Sequence, residues 1–330
     1  ALELVFDAMH NSIMPQDEFD QFKKQMQVMI ESMRDKPDAL AQNAITQHFN
    51  TYPKGDPRYE YSLDESLEQL NKLTVDQVRA FYKEFGGTSR GEISIVGDFD
   101  PKTVEKIIRD DYAKYVSKAH YAPVVTEYRP VKATRVVIDT PDKENAIIVA
   151  RSVFPINDTA PDAPALTVAN WILGGGTGLS NRLIERLRQK EGLSYGAGSH
   201  VRIPAKGDNG SFVFRAIVAP QNMLQAEASA RDVIAKAIKD GFTDQEVEEA
   251  KKGLLQAMQV ARSQDDVVAR SWNDKMENQR TWVFSKKQAE AISKLTTADV
   301  NAALRKYIKP DEITFVLAGD QKKAAQKKQD

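Results

Sequence analysis

Two stretches of this chain repeat one another, and a fold that accommodates the chain has to accommodate both copies. Lys72-Leu-Thr-Val-Asp-Gln-Val78 returns as Lys294-Leu-Thr-Thr-Ala-Asp-Val300, and each copy leads through an amphipathic helix toward a strand ending in Gly-Asp. Those strands are expected at Glu92–Asp98 and Glu312–Asp320. Upstream, Glu18-Phe-Asp-Gln-Phe-Lys-Lys24 matches Glu246-Val-Glu-Glu-Ala-Lys-Lys252 in charge and apolar spacing. Two copies in one order indicate duplicated domains. Thr74 and Thr296 are the expected helix N-caps, each followed by an acid in the first turn.

The copies differ in what precedes them. The second follows a long stretch, 134 to 241, with strands expected at 134–139, 146–151 and 211–219, each rich in Val, Ile or Phe. The first has no counterpart, so its amino-terminal strands and first helix are expected to be missing, either removed from the polypeptide or supplied by another chain. Residues 1–118 thus read as the rear part of a domain, 119–133 as a linker carrying Pro123 and Pro130, 134–320 as a complete domain and 321–330 as a basic tail. The opening ALELVFDAMHNSIM is an amphipathic helix with acids and no basic n-region, unlike a signal peptide, and a start in mid-helix points to a fragment. Strands mixed with long helices, without strict alternation, predict an α+β fold.

Between the strands of the second copy lies Gly174 to Gly196, GGGTGLSNRLIERLRQKEGLSYG. Leu179, Leu183, Ile184 and Leu187 recur at helical spacing, Arg182, Glu185, Arg186 and Arg188 fill the other positions, and Gly192 stands where a helix C-cap belongs. Arg188 falls in the last helical turn and Tyr195 on the strand that follows. A cation in a last turn is expected from the helix dipole alone. A strand tyrosine is most often a packed side chain with a satisfied hydroxyl. The glycine run matches neither G-x-x-x-x-G-K-[ST] nor G-x-G-x-x-G, so it reads as a sharp, closely packed turn and not as a nucleotide site.

Composition removes several function classes. A net charge of -1, from 46 basic and 47 acidic residues, leaves no footprint for nucleic acid. No apolar run approaches the roughly 20 residues of a membrane span, so no membrane insertion is expected. The absence of cysteine excludes disulfides, thiolate metal sites and a cysteine nucleophile. No Gly-x-Ser-x-Gly elbow marks a hydrolase serine. Lys251-Lys252 and the tail lysines read as solvated charge, and Trp171 and Trp272 as core.

The glycine segment and its surroundings resemble the pitrilysin/insulinase family of zinc peptidases, which includes the mitochondrial processing peptidases. Its carboxy-terminal half carries a glycine-rich turn, a Ser-Arg-Leu helix, Leu-Arg and Gly-Leu-x-Tyr. Here these read Gly174-Gly175-Gly176, Asn181-Arg182-Leu183, Leu187-Arg188 and Gly192-Leu193-Ser194-Tyr195, with Ser displaced to Ser180 and Asn181 in its place. The resemblance implies antiparallel-rich mixed sheets in duplicated units, helices packed on one face, the first unit incomplete. It also implies that Arg188 and Tyr195 reach a catalytic half, contacting substrate carbonyls and the oxyanion, as auxiliary catalytic groups. Gly174, Gly175 and Gly176 would line the substrate chamber beside them.

The family's inverted zinc motif H-x-x-E-H is absent: His10, His48, His120 and His200 have no second histidine at ligand spacing. No metal site is therefore expected in this chain, and zinc belongs to the catalytic half. Glu31, near where the family places its third ligand, reads as a solvated glutamate, and becomes a ligand candidate only if an upstream segment carries the motif. The implied function is a carboxy-terminal part, inactive alone, of a zinc metalloprotease, whose partners are the half carrying H-x-x-E-H and an unfolded peptide. The alternative is a structural or interaction protein with this fold and no catalysis, like the non-catalytic family relatives in respiratory complexes. A bacterial periplasmic setting is what the resemblance implies for location.

Overall fold

The computed structural model describes residues 2–176 and 181–325, so Leu179, Ser180 and the end of the basic tail lie outside the described residues. In chain order the elements are α1 (Leu2–His10), α2 (Gln16–Met33), α3 (Pro37–His48), α4 (Leu63–Lys72), α5 (Val75–Phe85), α6 (Pro101–Asp110), β1 (Arg135–Asp139) and β2 (Ala146–Pro155). There follow α7 (Ala163–Asn170), α8 (Arg182–Ile184), β3 (Ser194–Arg202), β4 (Asn209–Val218), α9 (Met223–Asp240) and α10 (Asp244–Ala261). The chain continues through α11 (Asp265–Glu277), α12 (Trp282–Lys294), α13 (Thr297–Tyr307), β5 (Thr314–Gly319) and α14 (Gln321–Ala325). Wider π-type turns extend α7 over Trp171–Gly175 and α8 over Glu185–Lys190. Contacts group the residues into a smaller unit (1–32, 61–124 and 262–281) and a larger one (33–60, 125–261 and 282–330).

The larger unit is built on one mixed sheet in the order β1-β5-β2-β4-β3, with β1 and β5 parallel and the other pairs antiparallel. Alternation along each strand divides the side chains between two faces. Ile148, Ala150, Phe212, Phe214, Ala216, Phe315 and Leu317 enter the main core with Leu166, Leu183, Leu187, Ile234 and Leu304 from the helices. Each fully buried Leu, Ile or Phe among these contributes about 1.5–3 kcal/mol. The opposite face is not bare: Ala41 and Ile45 of α3 close over Ile147, Val149, Val316 and Ala318. β2 is covered on both faces over residues 146–150, which explains the apolar run there where a one-sided strand would alternate. The α+β class and the mixed sheet are as expected, with α3 an added layer on the second face.

The repeat is legible at its caps. Thr74 and Thr296 each accept from the N–H three residues on, at 3.3 and 3.2 Å, while the Gln77 and Asp299 side chains return to the cap N–H, both at 2.9 Å. These are capping boxes. It breaks at the strand: β5 forms between β1 and β2, whereas Glu92 to Asp98 forms no strand. The expectation of a strand there is corrected. A strand is held by ladder partners and not by its own propensity, and among the described residues the smaller unit holds no strand to pair with.

That smaller unit gathers α1, most of α2, α4, α5, α6 and α11. Polar ties hold it: Tyr82 Oη donates to the Met9 carbonyl at 2.5 Å, and Lys23 Nζ to the carbonyls of Asn71 and Leu73 at 2.8 Å. In the larger unit, the stretch beginning at Val125 is clamped. Glu127 N–H donates to Tyr52 Oη at 3.1 Å, Tyr128 N–H to Asp208 at 2.7 Å, and Arg58 and Arg129 stack over the Tyr52 ring. The reading of Lys251 as solvated is also corrected. It is buried, its Nζ donating to Glu248 at 2.7 Å and to the Leu295 carbonyl at 2.9 Å. Lys252, its neighbour, is exposed.

Candidate functional site

The glycine turn seats itself against β3 by having no side chains. A Cβ on Gly174 would meet Ser199 Oγ at 2.5 Å, and one on Gly175 would meet Asn170 Nδ2 at 2.3 Å. Asn170 and Ser199 are themselves joined, the Ser199 hydroxyl donating to Asn170 Oδ1 at 2.8 Å. Gly174 is buried, and Gly175 and Gly176 are partly accessible.

Asn181, standing where the family pattern has serine, then caps the helix. Its Oδ1 accepts from the Ile184 N–H at 2.9 Å, and the residue is only 1 % exposed. Leu183 and Leu187 anchor the helix in the core. Gly192 takes a φ of +60°, which favours glycine, and lets the Leu193 N–H reach back to the Leu187 carbonyl at 2.8 Å.

The cations of this helix have divergent fates. Arg182 forks onto Glu246 with contacts of 2.7 and 2.8 Å and donates to the Gly241 carbonyl at 3.0 Å. Burial pushes the Glu246 carboxyl up, but the Arg182 fork and the Thr243 bonds outweigh it and hold that carboxyl below its ordinary value. Arg186 pairs with Glu191 at 2.5 Å and lies 3.8 Å from Asp232, and Lys190 pairs with Glu185 at 2.8 Å. Arg188 is exposed and, among the described residues, makes neither an ion pair nor a hydrogen bond. The helix dipole accounts for a cation at this end; it does not account for the one cation left unneutralised.

Tyr195 stands out in a different way. The β3–β4 register passes from Ser194 opposite Val218 to Gly196 opposite Ile217, so Tyr195 is the extra residue of a β-bulge. A bulge re-aims its side chain out of the regular alternation. The buried Ser194 hydroxyl pins it, lying 2.8 Å from the Gly196 carbonyl and 2.9 Å from the Ile217 carbonyl while accepting from the Gly196 N–H at 3.1 Å. The ring is 67 % exposed, and its hydroxyl bonds no described residue. It is not the packed strand tyrosine with a satisfied hydroxyl. Ser194 went unread in the sequence, because alternation alone carries no sign of a bulge.

The donor set does not fit a zinc site. Among the described residues no three His, Asp or Glu side chains gather where a metal could be held. His48 Nε2 is engaged with the Lys132 carbonyl at 3.0 Å, and His10 packs on the Tyr115 ring. Glu31 is exposed on α2.

The family model of the peptidase M16 inactive domain matches residues 72–254. The chain belongs to the peptidase M16 family. It covers 96% of itself and 74% of the crystal structure of a peptidase M16 inactive domain from Pseudomonas fluorescens, with a TM-score of 0.81 at 22% identity. In sequence it is 21% identical to the non-peptidase homolog YmxG of Helicobacter pylori, over 78% of this chain and 58% of that protein. It is 24% identical to an uncharacterized zinc protease of Streptomyces coelicolor, over 80% and 57%. The chain thus spans a little over half the length of the curated relatives it matches. As an M16 inactive domain, it has the protease-like fold in its non-catalytic form.

Proposed function

We propose that this chain is the non-catalytic carboxy-terminal part of a zinc metalloprotease, forming a wall of its substrate chamber. Arg188 and Tyr195 donate to the substrate carbonyl and its developing oxyanion, beside a wall that includes Gly175 and Gly176. Zinc and its general base reside in a partner half carrying H-x-x-E-H, and the substrate is an unfolded peptide. The observation that carries this reading is the contrast within one segment: three cations of the helix are neutralised, while Arg188 and the bulged Tyr195, seven residues apart, stand exposed with no side-chain partner among the described residues. A guanidinium and a phenol left in this state suit a charge that arrives with the substrate. Relatives named as zinc proteases support the partner half. We place the enzyme in a bacterial periplasm, to be checked by fractionation.

The test is turnover of a quenched unstructured peptide by this chain combined with its catalytic half. Arg188→Gln and Tyr195→Phe should each lower kcat by about a hundredfold, the usual cost of one oxyanion donor, with chelator abolishing the remainder. Unchanged turnover in both variants would remove them from the reaction. A second reading, an interaction protein that binds without cutting, is supported by the relative named a non-peptidase homolog. A longer form lacking H-x-x-E-H and inert toward every peptide would select it.

A further inference from the structure

The larger unit leaves two arginines on an open part of its sheet that no described residue neutralises. α3 covers the second sheet face over β5 and β2, and its cover ends before the edge strand β3. Register fixes what stands there: Arg151 of β2 lies opposite Val213 of β4, and Val213 opposite His200 of β3. The adjacent rows bring in Arg202 opposite Ser211, and Arg215 opposite Val149. Residues directly opposed in antiparallel strands project to one side, so four basic side chains surround the half-buried Val213.

One of the four is already satisfied. Arg215 pairs with Asp38 of α3 at 2.5 Å. Arg151 and Arg202 have neither an ion pair nor a hydrogen bond among the described residues. The Arg151 guanidinium lies over the Phe49 ring, 4.8 Å from its centre, and its Nε is buried without an acceptor. Burial, and then repulsion from Arg202, hold that guanidinium below the ordinary arginine range, while the attraction of Glu60 acts against them without forming a pair. A buried charged donor left unmade beside a second cation is a costly arrangement. An incoming carboxylate cures it, because its two oxygens match the fork of a guanidinium.

We propose that Arg151 and Arg202, with His200 at the rim, form a carboxylate-binding site that takes either the C-terminal carboxylate or an acidic side chain of an unfolded peptide. The choice of a peptide rests on the function proposed above. The site makes this wall selective, holding one anionic point of the substrate separately from the donors at Arg188 and Tyr195.

The experiment measures binding by this chain alone, by fluorescence anisotropy, of one unstructured neutral peptide in three forms: free acid, C-terminal amide, and amide with one internal Glu. The free acid should bind about tenfold more tightly than the amide, the gain expected from a charged hydrogen-bonded pair. Recovery of affinity by the Glu form names an acidic side chain as an accepted ligand, and no recovery restricts the site to the terminus. Arg151→Gln and Arg202→Gln should each shrink the difference between acid and amide. The exposed Arg202 gives a variant that keeps its fold if Arg151→Gln does not. Equal binding of all three peptides, or a preference undiminished in both variants, overturns the site while leaving the turnover test of Arg188 and Tyr195 standing. Conversely, unchanged turnover in those variants with an intact acid preference removes Arg188 and Tyr195 from the reaction and spares this site. Failure to bind any of the three peptides overturns this site and leaves the proposed function to the turnover test.

Discussion

The same local sequence meets two fates in this molecule. In the larger unit, the stretch from Glu312 to Asp320 contains β5, Thr314–Gly319, buried along its whole length between β1 and β2. In the smaller unit, Glu92 to Asp98 carries the same pattern into the same Gly-Asp and forms no strand. Burial follows the pairing. Among the described residues, the buried apolar side chains of the smaller unit are Phe6, Ile30 and Val75, whereas Leu4, Phe22, Phe81, Phe85, Val96 and Phe99 stand exposed. A capping box and an amphipathic helix are local and form in both copies; a strand and a core require partners and form in one.

Amide exchange tests this difference where it is largest. The amides of Glu92 to Val96 should exchange close to unprotected rates, and those of Thr314 to Gly319 more slowly by more than about a thousandfold, because central strands open only with the whole unit. Equal protection would mean that the smaller unit contains a ladder after all. Expressing the chain within a longer polypeptide that includes further strands should bring protection to Glu92–Val96 and leave β5 unchanged.

What could be read from the sequence divides along the same line. The caps at Thr74 and Thr296, the α+β class and the strands of the larger unit follow from patterns a few residues long. The strand at Glu92 was misread because whether a segment finds a ladder partner is decided by residues outside any local window. Lys251 was misread because burial of a lysine is decided by a distant acceptor, the Leu295 carbonyl. At the candidate site, Arg188 and Tyr195 were legible by position, but the bulge at Tyr195 depends on the register of β4. That Arg182 is neutralised depends on Glu246, from another helix, whereas Arg186 finds Glu191 five residues on. Arg151 and Arg202 lie on different strands, and no spacing along the chain brings them together.

Substitution sharpens the comparison at a smaller scale. Phe214→Ala removes a side chain with no exposure from the core of the larger unit, and should cost about 3–5 kcal/mol through lost transfer energy and the residual cavity. Phe81→Ala removes one that is 64 % exposed in the smaller unit, and should change stability by less than about 0.5 kcal/mol. Denaturant melts of the two variants check this. A comparable loss at Phe81 would show that its ring is buried in solution, by a second copy or by another segment.

The smallest effect separates the electrostatics of the two units. Glu227 is 5 % exposed, and its carboxylate receives Arg135 at 2.7 Å and Arg231 at 2.9 Å. Burial pushes its carboxyl up, yet hydrogen bonds from both arginines prevail and hold it below the ordinary value. A carboxyl lowered by folding contributes stability that is complete above its unfolded pKa and lost as pH falls through its folded one. Glu227 should therefore weaken the larger unit only in acid, and Glu227→Gln should cost about 1–2 kcal/mol at neutral pH and flatten the acid limb, the figure kept modest because both arginines reach solvent. Asp110 of the smaller unit is also lowered, chiefly by its hydrogen bond to Lys106, but on an exposed helix face where salt screens the attraction. Raising the salt concentration should erase the effect of Asp110→Asn and leave most of that of Glu227→Gln. If salt erased both, the Glu227 cluster would be as open to water as the helix faces of the smaller unit, and the contrast in burial would not extend to charge.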